Sequence, residues 1–183
     1  MAGEVLALAR SRPPTLGTGR LVCLDGPAGT GKTTLAAAIA DRAGPDGCEV
    51  VHADDLYAGW SGLGEVAVQL DSLLPPLAEG RPGAYRRWDW HASAWAGTVT
   101  VAPSPLLLVE GVGSWAAAHA ARVTVLVWLT APVALRRDRV LARDGATVAP
   151  HLDAWSADED AHHRAQGTEA HADLVVDAAA ARD

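Results

Sequence analysis

Apolar residues fall in five short runs, separated by stretches with helical spacing. Residues 20–25 (RLVCLD) form a short apolar run closed by a glycine, the pattern of a strand buried on both faces. Residues 32–43 suit a helix, with Leu35, Ile39 and Ala43 on one stripe and Gly44-Pro45 as its stop. Residues 48–53 predict a second strand, ending at Asp54-Asp55. Leu63, Val66, Leu70 and Leu74 share helical spacing, and Pro75-Pro76 is expected to end that helix. Residues 81–101 hold Trp88, Trp90 and Trp95 and read as irregular or hairpin structure. Residues 106–109 and 123–129 predict a third and a fourth core strand. A helix follows Pro132 and ends near Gly145, and another runs from Leu152 to about Ala165. Residues 174–176 predict a short fifth strand. Residues 1–14 are apolar only at 5–9 and read as a short helix or arm.

Strands alternating with helices through short loops imply an α/β fold, a parallel sheet covered on both faces. The chain, residues 1–183, reads as a single domain, with residues 57–104 inserted on its core as a substrate-binding segment. No apolar run reaches the roughly 18 residues needed to cross a bilayer. The arginines near the N-terminus follow the apolar stretch, the wrong order for a secretory leader, so the expected location is the cytoplasm with no membrane partner.

The net charge of −7 argues against nucleic acid as the main partner, so any anion site must be local. Cys23 and Cys48 lack metal-ligand spacing and read as free thiols in apolar surroundings. Of the 15 basic residues, 14 are arginine, and Lys32 is the only lysine.

That lysine lies within Gly26-Pro27-Ala28-Gly29-Thr30-Gly31-Lys32-Thr33, a full match to G-x-x-x-x-G-K-[ST], with Thr34 following. Glycines let the backbone turn so that its N–H groups cradle phosphate oxygens, and the helix start adds its positive end. Lys32 supplies a compact charge to the β- and γ-phosphates, and Thr33 offers its hydroxyl to magnesium. ATP with Mg2+ is the expected ligand. The bland alternative is a glycine turn that merely joins strand to helix.

Parallel sheets bind ligands beyond the carboxyl ends of their strands. Asp54, Asp55 and Glu110 fall at such ends. A carboxylate there holds magnesium or accepts a proton from an attacking hydroxyl; otherwise it caps a turn. Asp55 is the weaker candidate because extended backbone would turn it away from Asp54. After Pro132, Arg136, Arg139 and Arg143 share an arc of roughly 60° on the predicted helix, suited to a phosphate clamp or to a solvated face. Arg137 lies apart and reads as structural. In Tyr85-Arg-Arg-Trp-Asp-Trp-His91, Trp88 and Trp90 suit contact with a neutral planar ligand or packing of the insertion, and Asp89 suits a sugar diol. His162 and His163 read as surface residues.

With DDLY at 54–57, WDWH at 88–91, VEG at 109–111 and the arginine helix, the chain resembles the uridine kinase group of P-loop kinases across residues 20–177. The resemblance implies a three-layer P-loop kinase fold with strand order 2-3-1-4-5. It implies Asp54, which its strand-end position also makes a candidate magnesium ligand, as the base for a nucleoside 5′-hydroxyl, and Tyr57 lining the acceptor pocket. It implies Asp89 on the ribose with His91 near the base, Glu110 as the magnesium partner, and Arg139 and Arg143 as lid arginines. Arg136 completes the nucleotide-binding set. WDWHAS replaces the usual aspartate-histidine-proline run at the ribose site. The expected activity is ATP-dependent phosphorylation of a small hydroxylated molecule, with a nucleoside foremost. Another metabolite, a nucleotide or an antibiotic as acceptor stays open, as do a P-loop regulatory ATPase and a homo-oligomer.

Overall fold

The computed structural model describes residues 1–45 and 47–179. Its centre is β1 (Arg20–Asp25), whose Leu21, Val22, Cys23 and Leu24 are all buried. A strand buried on both faces must lie inside a covered sheet, and β1 does: β5 (Leu106–Glu110) and β6 (Val125–Thr130) flank it in parallel. β2 (Glu49–His52) pairs with β5, and β7 (Leu174–Asp177) with β6. The order is β2-β5-β1-β6-β7, which over the five core strands alone is 2-3-1-4-5. The expected three-layer fold is observed. β3 (Gly83–Asp89) and β4 (Ala94–Val101) form a separate antiparallel hairpin.

Alternation along β1 divides the core. Val22 and Leu24 face one side, where α1 (Ala2–Ser11) and α2 (Lys32–Ala43) bury Val5, Leu6, Ala36 and Ile39. Leu21 and Cys23 face the other side, covered by α3 (Val66–Ala78), Tyr85 of the hairpin, and Trp155 of α5 (Leu152–Gln166). The segment 57–104 thus packs its helix into the main core. α4 (Val133–Asp144) and the short α6 (Thr168–His171) complete the helices described here. Cys23 and Cys48 are free thiols belonging to the two opposite layers, with β5 lying between β1 and β2.

Two expectations need correction. α3 does not stop at Pro75-Pro76 but runs on to Ala78 with both prolines inside. Each proline costs about 3 kcal/mol in a helix interior. Burial of Leu73, Leu74 and Leu77, each worth roughly 1.5–3 kcal/mol, offsets a cost of that order. The second strand ends at His52, and Ala53–Asp55 forms a 3-10 turn. The extended alternation that would have opposed Asp54 and Asp55 is therefore absent.

Candidate functional site

At the carboxyl end of β1 the chain enters residues 26–31 and leaves through α2. Gly26, Gly29 and Gly31 all have positive φ, at 134°, 80° and 90°. A Cβ at Gly26 would meet the Leu129 carbonyl at 2.1 Å, and one at Gly29 the Arg136 carbonyl at 2.4 Å. At Gly31 a Cβ would meet nothing within 4 Å, so this side of the turn faces open space. The first two glycines are demanded by close backbone approach, the third by conformation alone.

Lys32 is buried and donates to the carbonyls of Gly26 and Pro27, at 2.7 and 2.9 Å. Burial lowers its pKa from the ordinary value, while Asp25, Glu110, Asp54 and Glu159 pull it back up. Thr30 donates to Pro27 O, and Ala28 offers its N–H to Glu159. Thr33 donates to both oxygens of Glu110, at 3.1 and 3.2 Å. Thr34, one step further into α2, is exposed and makes no side-chain hydrogen bond to the described residues.

Glu110 ends β5 beside His52 at the end of β2, where the two are register partners. His52 Nδ1 donates to Glu110 at 2.6 Å, and this bond raises the imidazole pKa against half-burial. Magnesium takes few protein ligands and completes its shell with water and phosphate oxygens. The Thr33 hydroxyl and Glu110 carboxylate, hard oxygens side by side at the cradle, fit that pattern. Among the described residues no cluster of three or more His, Cys, Asp or Glu side chains forms a metal cage.

Asp54 stands on the turn after β2. Tyr57 donates to Asp54 Oδ1 at 2.7 Å, and Trp90 donates to its carbonyl at 2.9 Å. Burial first, then Asp54 itself, pushes the Tyr57 phenol well up, so it stays a donor. Around this pair the rings of Trp60, Trp90, Trp155 and His151 gather: Tyr57 packs on Trp155 at 5.3 Å, and Trp60 stacks on His151 at 5.0 Å and 8°. Asp55 is half-buried, and that burial raises its carboxyl.

The hairpin residues expected at the acceptor lie differently from Trp90. Trp88 packs edge-on against Trp95, at 5.3 Å. Asp89 Oδ1 accepts the His91 and Ala92 N–H groups, capping the β3–β4 turn, and those bonds lower its pKa. None of Trp88, Asp89 and His91 hydrogen-bonds or ring-packs with Asp54 or Tyr57. A separate surface cavity of about 480 Å³, lined by Val68, Ser72, Arg86 and Trp95, lies between α3 and the hairpin and includes none of the loop residues.

Of the α4 arginines, Arg136 reaches Glu159 at 2.9 Å and the Ala28 carbonyl at 3.4 Å. Arg139 donates to Gly29 O and Ala178 O, and Arg143 forks onto Asp144. Arg137 pairs with Asp153 away from the loop. Two arginines thus touch the phosphate loop, and the third is engaged by its sequence neighbour.

Several residues that sequence reasoning passed over converge here. Asp25, fully buried, accepts N–H groups from Gly26, Gly113 and Trp115. His163 is not a surface residue: it is buried and donates to Asp25 at 3.1 Å, and burial lowers the pKa of its half-buried neighbour His162. The signal for His163 was its place on the buried stripe of α5; for Asp25 it was its position directly before the glycine loop.

A family model for the ATPases associated with various cellular activities (AAA) matches residues 22–72, the phosphate loop and second strand. No curated protein matches the sequence. Among solved structures, the chain is similar to a candidate uridine kinase from Bacillus stearothermophilus, with TM-score 0.62 and 19% identity over 96% of this chain and 97% of that one. It is also similar to a candidate fructose transport system kinase from Silicibacter sp. TM1040, with TM-score 0.61 and 21% identity over 96% and 98% of the two chains. Fold and loop together define a P-loop nucleotide-binding architecture. Within that class the chain has the three-layer fold of P-loop kinases over nearly its whole length, as the resemblance implied. No described helix is long and apolar enough to cross a membrane.

Proposed function

We propose that the protein is an ATP-dependent small-molecule kinase that phosphorylates a hydroxyl group, with a nucleoside as the leading acceptor. One observation carries this reading. The phosphate cradle, the Thr33–Glu110 oxygen pair and the Asp54–Tyr57 pair all belong to the carboxyl ends of β1, β5 and β2, the crevice where such sheets bind ligands.

The loop amides and Lys32 bind the polyphosphate, as the open side of Gly31 permits. Thr33 and Glu110 are the residues that would hold magnesium, which when bound neutralises charge on the β- and γ-phosphates. Asp54 accepts the proton of the acceptor hydroxyl as the new O–P bond forms and the β–γ bridge breaks, and Tyr57 fixes the carboxylate for that task. Arg136 and Arg139 reach the loop from α4, with Arg143 further along the same helix, and supply the cations for charge that develops during transfer.

The acceptor class follows from the wall beside Asp54. Trp60 and Trp90, backed by the buried rings of Tyr57 and Trp155, present flat, uncharged faces suited to a neutral ring system with a free hydroxyl. Trp90 touches Asp54 directly, so it outranks Trp88 as an acceptor contact, while Asp89 and His91 are left for the rim at the hairpin tip.

Calorimetry with ATP and magnesium, followed by a nucleoside and metabolite panel scored for acceptor-dependent ADP release, tests the reading. Binding in the micromolar range and ADP release that tracks one acceptor are expected. No binding at millimolar ATP sinks the nucleotide site. ATP hydrolysis indifferent to every acceptor turns the assignment toward a regulatory ATPase.

A further inference from the structure

The buried face of α5 runs Leu152, Trp155, Glu159 and His163, the spacing of one helical stripe. Leucine and tryptophan are ordinary on such a face. A carboxylate and an imidazole are not, because each gives up hydration and needs partners.

Glu159 has no exposed surface, and its two oxygens are engaged by the phosphate loop and by α4. Oε2 accepts the Ala28 N–H at 2.9 Å, and Oε1 accepts Arg136 at 2.9 Å. One turn further on, His163 donates to Asp25 Oδ1, the oxygen that also takes the Gly26 N–H at 2.7 Å. A single helix therefore anchors the first and third residues of the loop, one through Asp25 and the other directly.

α4 closes the arrangement from the opposite side. The Arg136 carbonyl lies 2.4 Å from where a Cβ of Gly29 would be, and the Arg136 guanidinium reaches both Ala28 O and Glu159. Glu159 and Arg136 thus join α4, the loop and α5, and Glu159 is the member of the pair with no exposed surface. A carboxylate so near a polyanion site opposes binding by charge alone. That penalty is offset if the loop is already ordered when the nucleotide arrives, because binding then loses less conformational freedom.

We propose that Glu159 is a positioning residue for the phosphate loop, holding the Ala28 amide and Arg136 in place before nucleotide binds. Its consequence for ATP rests on the kinase reading above; its consequence for the loop does not. Amide hydrogen exchange of residues 26–31 in the ligand-free protein, with calorimetry on ATP and magnesium, separates the two. Glu159→Ala is expected to speed loop exchange at least tenfold, with β1 and α2 unchanged. It should weaken ATP about tenfold and raise the KM for ATP. Glu159→Gln keeps the volume and one acceptor oxygen, so both readouts should fall between wild type and alanine; it also serves alone if the alanine variant does not fold. Loop exchange identical in wild type and variant, or raised only in step with β1, overturns the proposal. A wild type that binds no ATP counts against the kinase reading, while the exchange result still decides the role of Glu159.

Discussion

The two halves of the crevice are built from different materials. Around the phosphate loop, contacts run from backbone to buried charge: Asp25 and Glu159 take loop amides, and Lys32 spans two loop carbonyls. On the side proposed for the acceptor, one hydrogen-bonded carboxylate, Asp54, sits among rings contributed by three separate segments. Backbone amides of a fixed turn recognise the same polyphosphate in any protein that forms the turn. Rings held by side-chain packing recognise whatever shape they leave between them. The first half is therefore generic and rigid, and the second is particular to this chain and adjustable by single substitutions.

The contrast predicts a graded series. Lys32→Ala should lower phosphoryl transfer by about 1,000-fold or more, since it removes the buried cation of the cradle, while leaving the melting temperature near that of wild type. A variant with near-normal turnover would move the chemistry away from the loop. Asp54→Asn should cost on the order of 100-fold in kcat with ATP affinity nearly unchanged, as expected for loss of a general base. Equal losses in kcat and ATP binding would put Asp54 on the phosphate half instead. Trp90→Ala should raise the acceptor KM by about tenfold and leave the ATP KM alone, whereas Trp88→Ala should change neither by more than about twofold. If Trp88 proves the costlier loss, the ring wall described here is not the acceptor's.

The smallest effect lies outside the crevice. Burial pulls Asp173 upward, but the hydrogen bond from Arg12 and the Leu126 N–H outweigh it, leaving the carboxyl below its ordinary value. A carboxyl depressed in the folded state adds stability above its unfolded pKa of about 3.9, and that stability is lost as pH falls through the folded value. Thermal melts taken from pH 6 down to pH 3 should show wild type and Asp173→Asn converging at the acid end. Parallel curves would mean the Arg12 tether contributes nothing.

How far each half was legible follows the same division. The loop and α2 could be read because their determinants are contiguous: glycines at fixed offsets, a lysine, then a helix that closes at Gly44. The sheet order was implied by the family resemblance, and strands such as 20–25 and 106–109 were marked as fully buried by apolar runs without alternation. Trp60, Trp155 and His151 were not legible, because they meet only after the segment following α4 folds back over the turn after β2. His163 was only half legible: its spacing from Leu152 and Trp155 marks a buried stripe, but a histidine beside other polar residues looks solvated until its partner, Asp25, is known to lie beneath it. Pro75 and Pro76 misled for the complementary reason: their local cost is plain in the chain, and the leucines that offset it act only through the packed core.

Lys32 is the chain's sole lysine, and it sits inside the cradle. An acylating probe therefore has one internal amine to find, besides the α-amine at the terminus. Burial lowers the pKa of that amine, favouring the free-base form that reacts, while ligand in the cradle shields it. The intact mass of the labelled chain, carrying a second acyl group beyond the one on the α-amine or not, thus becomes a one-residue gauge of occupancy that needs neither tag nor mutation.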